Sequence, residues 1–142
     1  MKVTVFIALV LSYSFVQSQD INAYARVTSV TGSNILALSN VDQTNHNFNT
    51  GEQIIVMQMQ DDVIGANTTN AATFGNLSAI ANAGRYEVAT ISARTPATGA
   101  PTSLTLSAAL ANTYNTGANS RVQIITFRNL GANYTTTANL TC

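Results

Sequence analysis

The sequence is poor in residues that cross-link, ligate or carry charge. Its 142 residues include one cysteine, one histidine, two prolines and no tryptophan, and only 8% of the residues are charged. The single cysteine, Cys142, has no partner in the chain, which excludes an intrachain disulfide. His46 lies alone in a polar stretch, without the partners that a zinc site or a serine–histidine triad requires. We therefore expect His46 to be a solvated loop residue.

The few charges are balanced and scattered. Six Lys plus Arg stand against six Asp plus Glu, and the arginines are spread along the chain. Because a polyanion is bound by clustered cations, we expect no nucleic-acid partner. Asn, Thr, Ser and Gln then form the solvated surface, which is typical of extracellular β-proteins. The hydrophobic fraction of 46% argues against disorder.

The N-terminus has the pattern of a signal peptide. Lys2 precedes an apolar stretch over residues 3–16, and the small-residue character that follows predicts cleavage after Ser18. The apolar stretch is short for a bilayer span of roughly 20 residues. We therefore expect a signal peptide over residues 1–18, not an uncleaved anchor, and no membrane span in the mature chain. Residues 19–142 are then a single β-rich domain of a secreted or cell-surface protein.

The mature chain alternates short apolar runs with turn signals, which predicts an all-β fold. Because no long helix intervenes, a small sandwich or barrel is favoured over a parallel α/β sheet. The first predicted strand is an edge strand that forms a hairpin with the second, and short helical turns are predicted over residues 77–82 and 108–114. The strands are predicted over residues 21–30, 35–39, 51–60, 86–93, 104–107 and 122–127, and one more begins near 134–140.

The strand within residues 51–60 is predicted to be central, since it holds the densest apolar run of the mature chain. It begins with apolar residues on both faces and ends by alternating Met57 and Met59 with glutamines. We expect the two methionines to pack in the core or at its rim.

The only two glutamates, Glu52 and Glu87, are predicted at the heads of two strands. Glycoside hydrolysis requires two carboxyl groups roughly 5 to 10 Å apart in a cleft. We favour simpler roles, in which Glu52 buttresses its turn and Glu87 pairs with Arg85 or Arg121. We therefore expect no catalytic residue and no enzymatic activity.

Asp61 and Asp62 end the central strand and offer oxygen ligands of the kind that Ca²⁺ prefers. Their spacing matches no EF-hand or nonapeptide repeat, so a solvated strand-end pair is the favoured interpretation. No nucleotide-binding glycine motif and no G-x-S-x-G motif is present. The sequence thus predicts no metal site and no cofactor.

Several segments together resemble one family. They include FNTGEQIIVMQMQ at residues 48–60, NAGRYE at residues 82–87 and VQI at residues 122–124. This succession resembles the N-terminal region of exported surface proteins of Bacteroidota, of adhesin or gliding-motility-associated type, which are substrates of type IX secretion. Members of the family continue beyond this point, so the resemblance implies that the chain is the front part of a longer protein and is truncated at its C-terminal end.

The leading hypothesis is a non-enzymatic, secreted or cell-surface β-domain for adhesion or surface assembly, with an extracellular glycan or a surface protein as its partner. The alternative is an accessory carbohydrate-binding or glycan-hydrolysing module of an extracellular enzyme. A third hypothesis, an ice- or mineral-facing surface, predicts aligned rows of threonine. The sequence does not specify the ligand, the oligomeric state or the export route.

Overall fold

The computed structural model describes residues 22–61 and 80–127. All six strands predicted in this part of the chain are confirmed. The predicted signal peptide and the strand predicted near residues 134–140 lie outside the described residues. The strands are β1 (Tyr24–Thr31), β2 (Ile35–Asp42), β3 (Gln53–Gln60), β4 (Tyr86–Thr95), β5 (Ser103–Leu106) and β6 (Arg121–Thr126).

The strands close into a barrel in the order β1-β2-β5-β4-β3-β6, and every neighbouring pair is antiparallel. Strands β3, β4 and β5 follow one another as a meander, and β6 returns beside β3, which is a Greek-key arrangement. The sequence left a sandwich and a barrel as alternatives, and the structure is a barrel. The prediction of β1 as an edge strand is wrong, because closure gives β1 a partner on each side, β2 and β6.

The hairpin of β1 and β2 is confirmed, and its turn has the geometry that this connection favours. Gly32 and Ser33 have φ angles of 59° and 64°, and the amide of Asn34 donates to the carbonyl oxygen of Thr31 at 3.3 Å. Two central residues with positive φ make a type I′ turn, whose twist matches that of the paired strands.

Side chains fill the interior of the barrel. In β6, and in β3 from Ile54 to Gln58, every second residue is buried, as the two-residue period of a strand requires. Loops contribute Phe48 and Tyr114 to the same apolar cluster. The buried apolar residues are Ala23, Ala25, Val27, Leu36, Phe48, Ile54, Val56, Ile91, Leu104, Leu106, Tyr114, Val122 and Ile124.

The helical turn predicted over residues 108–114 is wrong, since this segment is irregular. The backbone amides of Ala111 and Asn112 donate to the carboxylate of Glu87, so they are not available to helix carbonyls. The helical turn predicted over residues 77–82 lies partly outside the described residues, and its described end is a hydrogen-bonded turn.

Strand β3 alternates from Ile54 to Gln58, and of the two positions predicted for its methionines, the core or its rim, the core is wrong. Val56 and Gln58 are both 0% exposed, whereas Met59 is 53% exposed. Because successive side chains point to opposite faces, Met57 and Met59 lie on the outer wall. The position that enters the core is the glutamine between them.

Candidate functional site

Two crossing loops close the ends of the barrel. Residues 43–52 cross the end at which β3 begins and place Phe48 inside it, and we name this the Phe48 end. Residues 107–120 cross the opposite end and place Tyr114 inside it, and we name this the Tyr114 end. Side chains occupy both ends and the interior of the described barrel, whereas its outer wall is open to a ligand.

Glu52 buttresses its turn, as predicted. Its carboxylate accepts hydrogen bonds from the backbone amide and the side-chain amide of Asn49, both at 3.2 Å. It also lies 3.1 Å from Nε2 of His46. His46 keeps 38% of its side-chain surface exposed, as a loop residue does, but it has a carboxylate partner that its place in the sequence did not predict.

Glu87 anchors the loop that crosses the Tyr114 end. Its carboxylate accepts hydrogen bonds from the backbone amides of Ala111 at 2.8 Å and of Asn112 at 3.0 Å. The predicted ion pair with Arg85 or Arg121 is wrong, because within the described ranges the only ion pair joins a histidine to Glu52.

The surroundings of Glu87 lower its pKa. Burial by itself raises the pKa, but the backbone hydrogen bonds from Ala111 and Asn112, together with the neighbouring side chains of Tyr114 and Asn112, outweigh it. Burial and the neighbouring negative charge raise the pKa of Tyr114. The Tyr114 hydroxyl therefore stays protonated, and it donates to the carbonyl oxygen of Val56 at 3.2 Å.

The two glutamates do not share a cleft. Glu87 is the register partner of Val56, and Val56 lies four residues along the chain from Glu52, which is roughly 13 Å of strand. Each carboxylate holds a different loop at a different end of the barrel. The arrangement thus brings Glu52 together with His46, but not with Glu87.

Asp61 is 1% exposed, so the prediction of a solvated strand end is wrong for this residue. Its carboxylate accepts hydrogen bonds from Asn82 N at 2.7 Å, Asn115 Nδ2 at 2.8 Å and Ser120 Oγ at 3.1 Å. Asp62 lies outside the described residues. Among residues 22–61 and 80–127, no group of three or more His, Cys, Asp or Glu is placed to hold a metal ion.

Gln58 joins Asp61 in a buried polar cluster, which we define as Gln58, Asp61, Asn115 and Ser120. The side-chain amide of Gln58 donates to the carbonyl oxygens of Gln60 at 2.7 Å and Asn115 at 2.9 Å. Its side-chain oxygen accepts from the backbone amide of Asn115 at 2.8 Å. A buried amide needs such partners, and here the crossing loop supplies them.

A band of apolar side chains runs across the outside of three neighbouring strands. The register places Val88 of β4 opposite Ile55 of β3, and Ile55 opposite Ile125 of β6. In the next row, Tyr86 of β4 is opposite Met57 of β3. These five residues are the outer band. Tyr86 is 63% exposed and Val88 is 50% exposed.

Beside the outer band, a groove of about 290 Å³ opens on the wall formed by β2, β1, β6 and β3. The hydroxyl of Tyr24 donates to Oδ2 of Asp42 at 2.8 Å, and Thr44 N donates to Oδ1 of Asp42 at 2.9 Å. These bonds lower the pKa of Asp42, and the bond from the Thr44 backbone has the largest effect. They also fix the Tyr24 ring. The groove side chains are Tyr24, Arg26, Asn40, Met59, Arg121 and Gln123.

Arg26 has no charge partner in the groove. Its Nε is buried without a hydrogen-bond partner, and within the described part of the chain no carboxylate pairs with its guanidinium. The described carboxylates are bound elsewhere, each by N–H or O–H groups of the fold. The Nε of Arg94 is also buried without a hydrogen-bond partner, so a buried nitrogen does not by itself mark a site. The groove is the candidate binding site because a guanidinium without a described carboxylate partner lines a concave surface.

Arg121 adds a second positive charge to the groove. Its Nη1 donates to the carbonyl oxygens of Ala118 at 2.8 Å and Ser120 at 2.7 Å. Carbonyl oxygens position a guanidinium without cancelling its net charge. The groove therefore holds two guanidinium groups that no described carboxylate neutralises.

Sequence reasoning missed both the groove and the buried polar cluster. The sequence contained one sign of the groove, because the two-residue period puts Tyr24 and Arg26 on the same face of β1. The other groove residues come from β2, β3 and β6, and only closure of the barrel brings those strands beside β1.

Neither a family model, nor a curated protein, nor a solved structure matches the chain. The resemblance to surface proteins of Bacteroidota therefore stays a prediction, and the functional argument depends on the geometry. Across residues 22–61 and 80–127, no helix has the length and hydropathy that crossing a membrane requires.

Proposed function

We propose that this chain is a non-enzymatic β-barrel domain of a secreted or cell-surface protein, and that it serves adhesion or surface assembly. In this proposal the outer band docks on a protein partner. The observation that carries it is the exposure of Tyr86 and Val88, at 63% and 50%, beside three further apolar side chains of the same wall.

Exposed apolar side chains that adjoin one another mark interaction surfaces in soluble proteins. Tyrosine and methionine, both present in the outer band, are enriched at the centres of protein interfaces. The band lies on paired strands of a closed barrel, so its backbone is held in place before a partner binds. Little conformational entropy then opposes docking.

Features of the sequence support the same proposal. The leader pattern of residues 1–18 favours export, and the surface rich in Asn and Thr suits an extracellular protein. A non-enzymatic role is supported by the use of Glu52 and Glu87 as loop anchors at opposite ends of the barrel.

The alternative function is glycan binding, as an accessory module of an extracellular enzyme. The groove supports it, because an aromatic ring, Tyr24, stands there beside the amides of Asn40 and Gln123. Glycan hydrolysis lacks comparable support, since the two glutamates hold different loops. The ice- or mineral-facing hypothesis also gains none, because the described registers pair no threonine with another threonine.

Binding to the surface of the producing cells tests the proposal. Fluorescently labelled protein is added to the cells and measured by flow cytometry. The double variant Tyr86→Thr, Val88→Thr keeps β-compatible side chains but removes apolar area from the outer band. We expect its binding to fall about ten-fold or more, as for the loss of interface anchors.

The control is Ile35→Thr, which changes a residue that is 40% exposed but lies outside the outer band. This variant should bind like the unmodified protein. Protease treatment of the cells should abolish binding, whereas periodate oxidation of their sugars should leave it. Equal binding by the outer-band variant, or binding that only periodate removes, contradicts the proposal.

A further inference from the structure

We infer that the groove binds a uronic acid residue of an extracellular polysaccharide, with the sugar carboxylate on Arg26. The inference rests on the glycan-binding alternative and does not involve the outer band.

The charge of the groove calls for an anion. Arg26 and Arg121 both line it, and among the described residues neither guanidinium has a carboxylate partner. A carboxylate matches the planar fork of a guanidinium and satisfies two of its N–H groups together. Binding would thus give the guanidinium a carboxylate partner, which the described part of the barrel does not supply.

The amides of the groove suit the hydroxyl groups of a sugar. Asn40 and Gln123 each carry donors and an acceptor on one side chain, as hydroxyls do. Asn40 has a φ of 49° and lies where the β1–β2 register shifts, between the pairs of Tyr24 and Arg26. Such bulges redirect side chains, and here the bulge brings an amide to the groove.

The apolar part of the groove suits the ring of a sugar. Tyr24 is 38% exposed, and its hydroxyl bond to Asp42 holds the ring in one orientation. Met59 adds a flexible apolar side chain that is 53% exposed. An aromatic ring offers a flat apolar face with a polar rim, onto which the C–H groups of a pyranose can pack.

An acidic side chain of a protein partner is the competing ligand. It would reach Arg26, but it has no hydroxyl groups for the two amides and no ring for Tyr24. The groove volume of about 290 Å³ also exceeds the need of a single carboxylate. A uronic acid uses the guanidinium, the amides and the ring together.

Calorimetric titration with defined oligosaccharides tests the inference. The probes are tetrasaccharides of galacturonic acid and of mannuronic acid, and their methyl esters, which lack the negative charge. We expect at least one acid to bind about ten-fold or more tightly than its ester, since hydrogen bonds to charged groups are the stronger ones. The Arg26→Gln variant should remove that difference.

Arg85→Gln is the matched control, because Arg85 is exposed and lies outside the groove. It should keep the preference for the acid. Arg26→Lys keeps the charge but loses the fork, so its preference should be intermediate. Thermal unfolding of each variant shows whether the barrel is intact, and an intact Arg26→Gln barrel with unchanged preference overturns the inference.

The remaining outcomes separate this inference from the functions proposed above. Equal affinity for acids and esters overturns it but leaves glycan binding in place. Tighter binding of an oligoglutamate peptide than of either acid assigns the groove to a protein partner, and the inference then fails. Loss of cell binding in the Tyr86→Thr, Val88→Thr variant does not bear on it, because these residues lie outside the groove.

Discussion

The two ends of the barrel are closed by loops of different chemistry. At the Phe48 end, an aromatic side chain that is 0% exposed fills the opening. Arg94 holds its loop from outside, donating from Nη1 to Phe48 O at 3.1 Å and from Nη2 to Gly99 O. The amide of Gly51 donates to Ile91 O at 2.8 Å and ties the loop to β4.

At the Tyr114 end, polar groups are buried along with the aromatic ring. The buried polar cluster contains Gln58 and Asp61, which are 0% and 1% exposed. The crossing loop is also fixed by Glu87 and by a bond from the backbone amide of Leu110 to Ser33 O at 2.8 Å. Closure here depends on a set of hydrogen bonds that support one another.

The difference predicts how each end responds to substitution. An apolar plug tolerates a change of shape if most of its volume is kept. A buried polar cluster does not tolerate the loss of one member, because the remaining groups lose their partners and stay buried. The Phe48 end should therefore be sensitive to volume, and the Tyr114 end to hydrogen-bonding capacity.

The largest effect should follow from emptying the Phe48 end. Phe48→Ala leaves a cavity and should lower the free energy of unfolding by about 3–5 kcal/mol. Phe48→Leu keeps most of the volume and should cost less than about 1.5 kcal/mol. Urea unfolding of both variants measures this. Equal losses would show that volume does not control this end.

The next largest effect should follow from removing the amide inside the Tyr114 end. Gln58→Leu keeps the volume but removes the bonds that Gln58 makes with the backbone N–H and carbonyl oxygen of Asn115, at a cost of about 2–3 kcal/mol. The control is Gln60→Leu, which removes an exposed bond to Asn119 O and should cost less than about 1 kcal/mol. Urea unfolding compares them, and equal losses would argue against the polar cluster.

Glu87→Gln should have a smaller effect, which depends on pH. It weakens charge-assisted bonds at a partly exposed site, so we expect a loss of about 1–2 kcal/mol at neutral pH. The pKa of Glu87 is lowered from its ordinary value of 4.5. Its contribution is therefore full above that value and is lost as the pH falls through the lower folded-state pKa.

Urea unfolding at neutral and at acidic pH measures this dependence. The unmodified protein should lose stability on acidification, and Glu87→Gln should lose less, so that the two curves approach each other at low pH. Parallel curves would contradict the anchoring role of the Glu87 carboxylate. Glu52→Gln provides a comparison at the Phe48 end.

Tyr114→Phe should have the smallest effect. It removes one hydroxyl, which donates to Val56 O, and should cost about 0.5–1 kcal/mol. The ring stays, so the apolar part of the closure is unchanged. Combined with Glu87→Gln, the two losses should not add, because the hydroxyl and the carboxylate contact each other. Additive losses would show that the hydroxyl and the carboxylate stabilise the barrel independently of each other.

The strands and turns were predictable because their signals are local. Short apolar runs between turn signals mark all six described strands, and Gly32 marks the turn of the first hairpin. The role of Glu52 was also predictable, since its partner Asn49 is three residues away. The helical turn predicted over residues 108–114 is wrong because the amides of Ala111 and Asn112 bind the carboxylate of Glu87 on strand β4. Local signals do not reveal a contact of this kind.

The sequence by itself determined an all-β chain and the positions of its strands, since side-chain period and turn chemistry act between near neighbours. Only the tertiary structure decided that the sheet closes, that Gln58 lies inside, and that Arg26 faces a groove lined by no described carboxylate. These features depend on contacts between distant residues, such as the bond from Ala23 to Thr126 across 103 positions. Closure and burial are set by the whole set of registers, and no short segment encodes them.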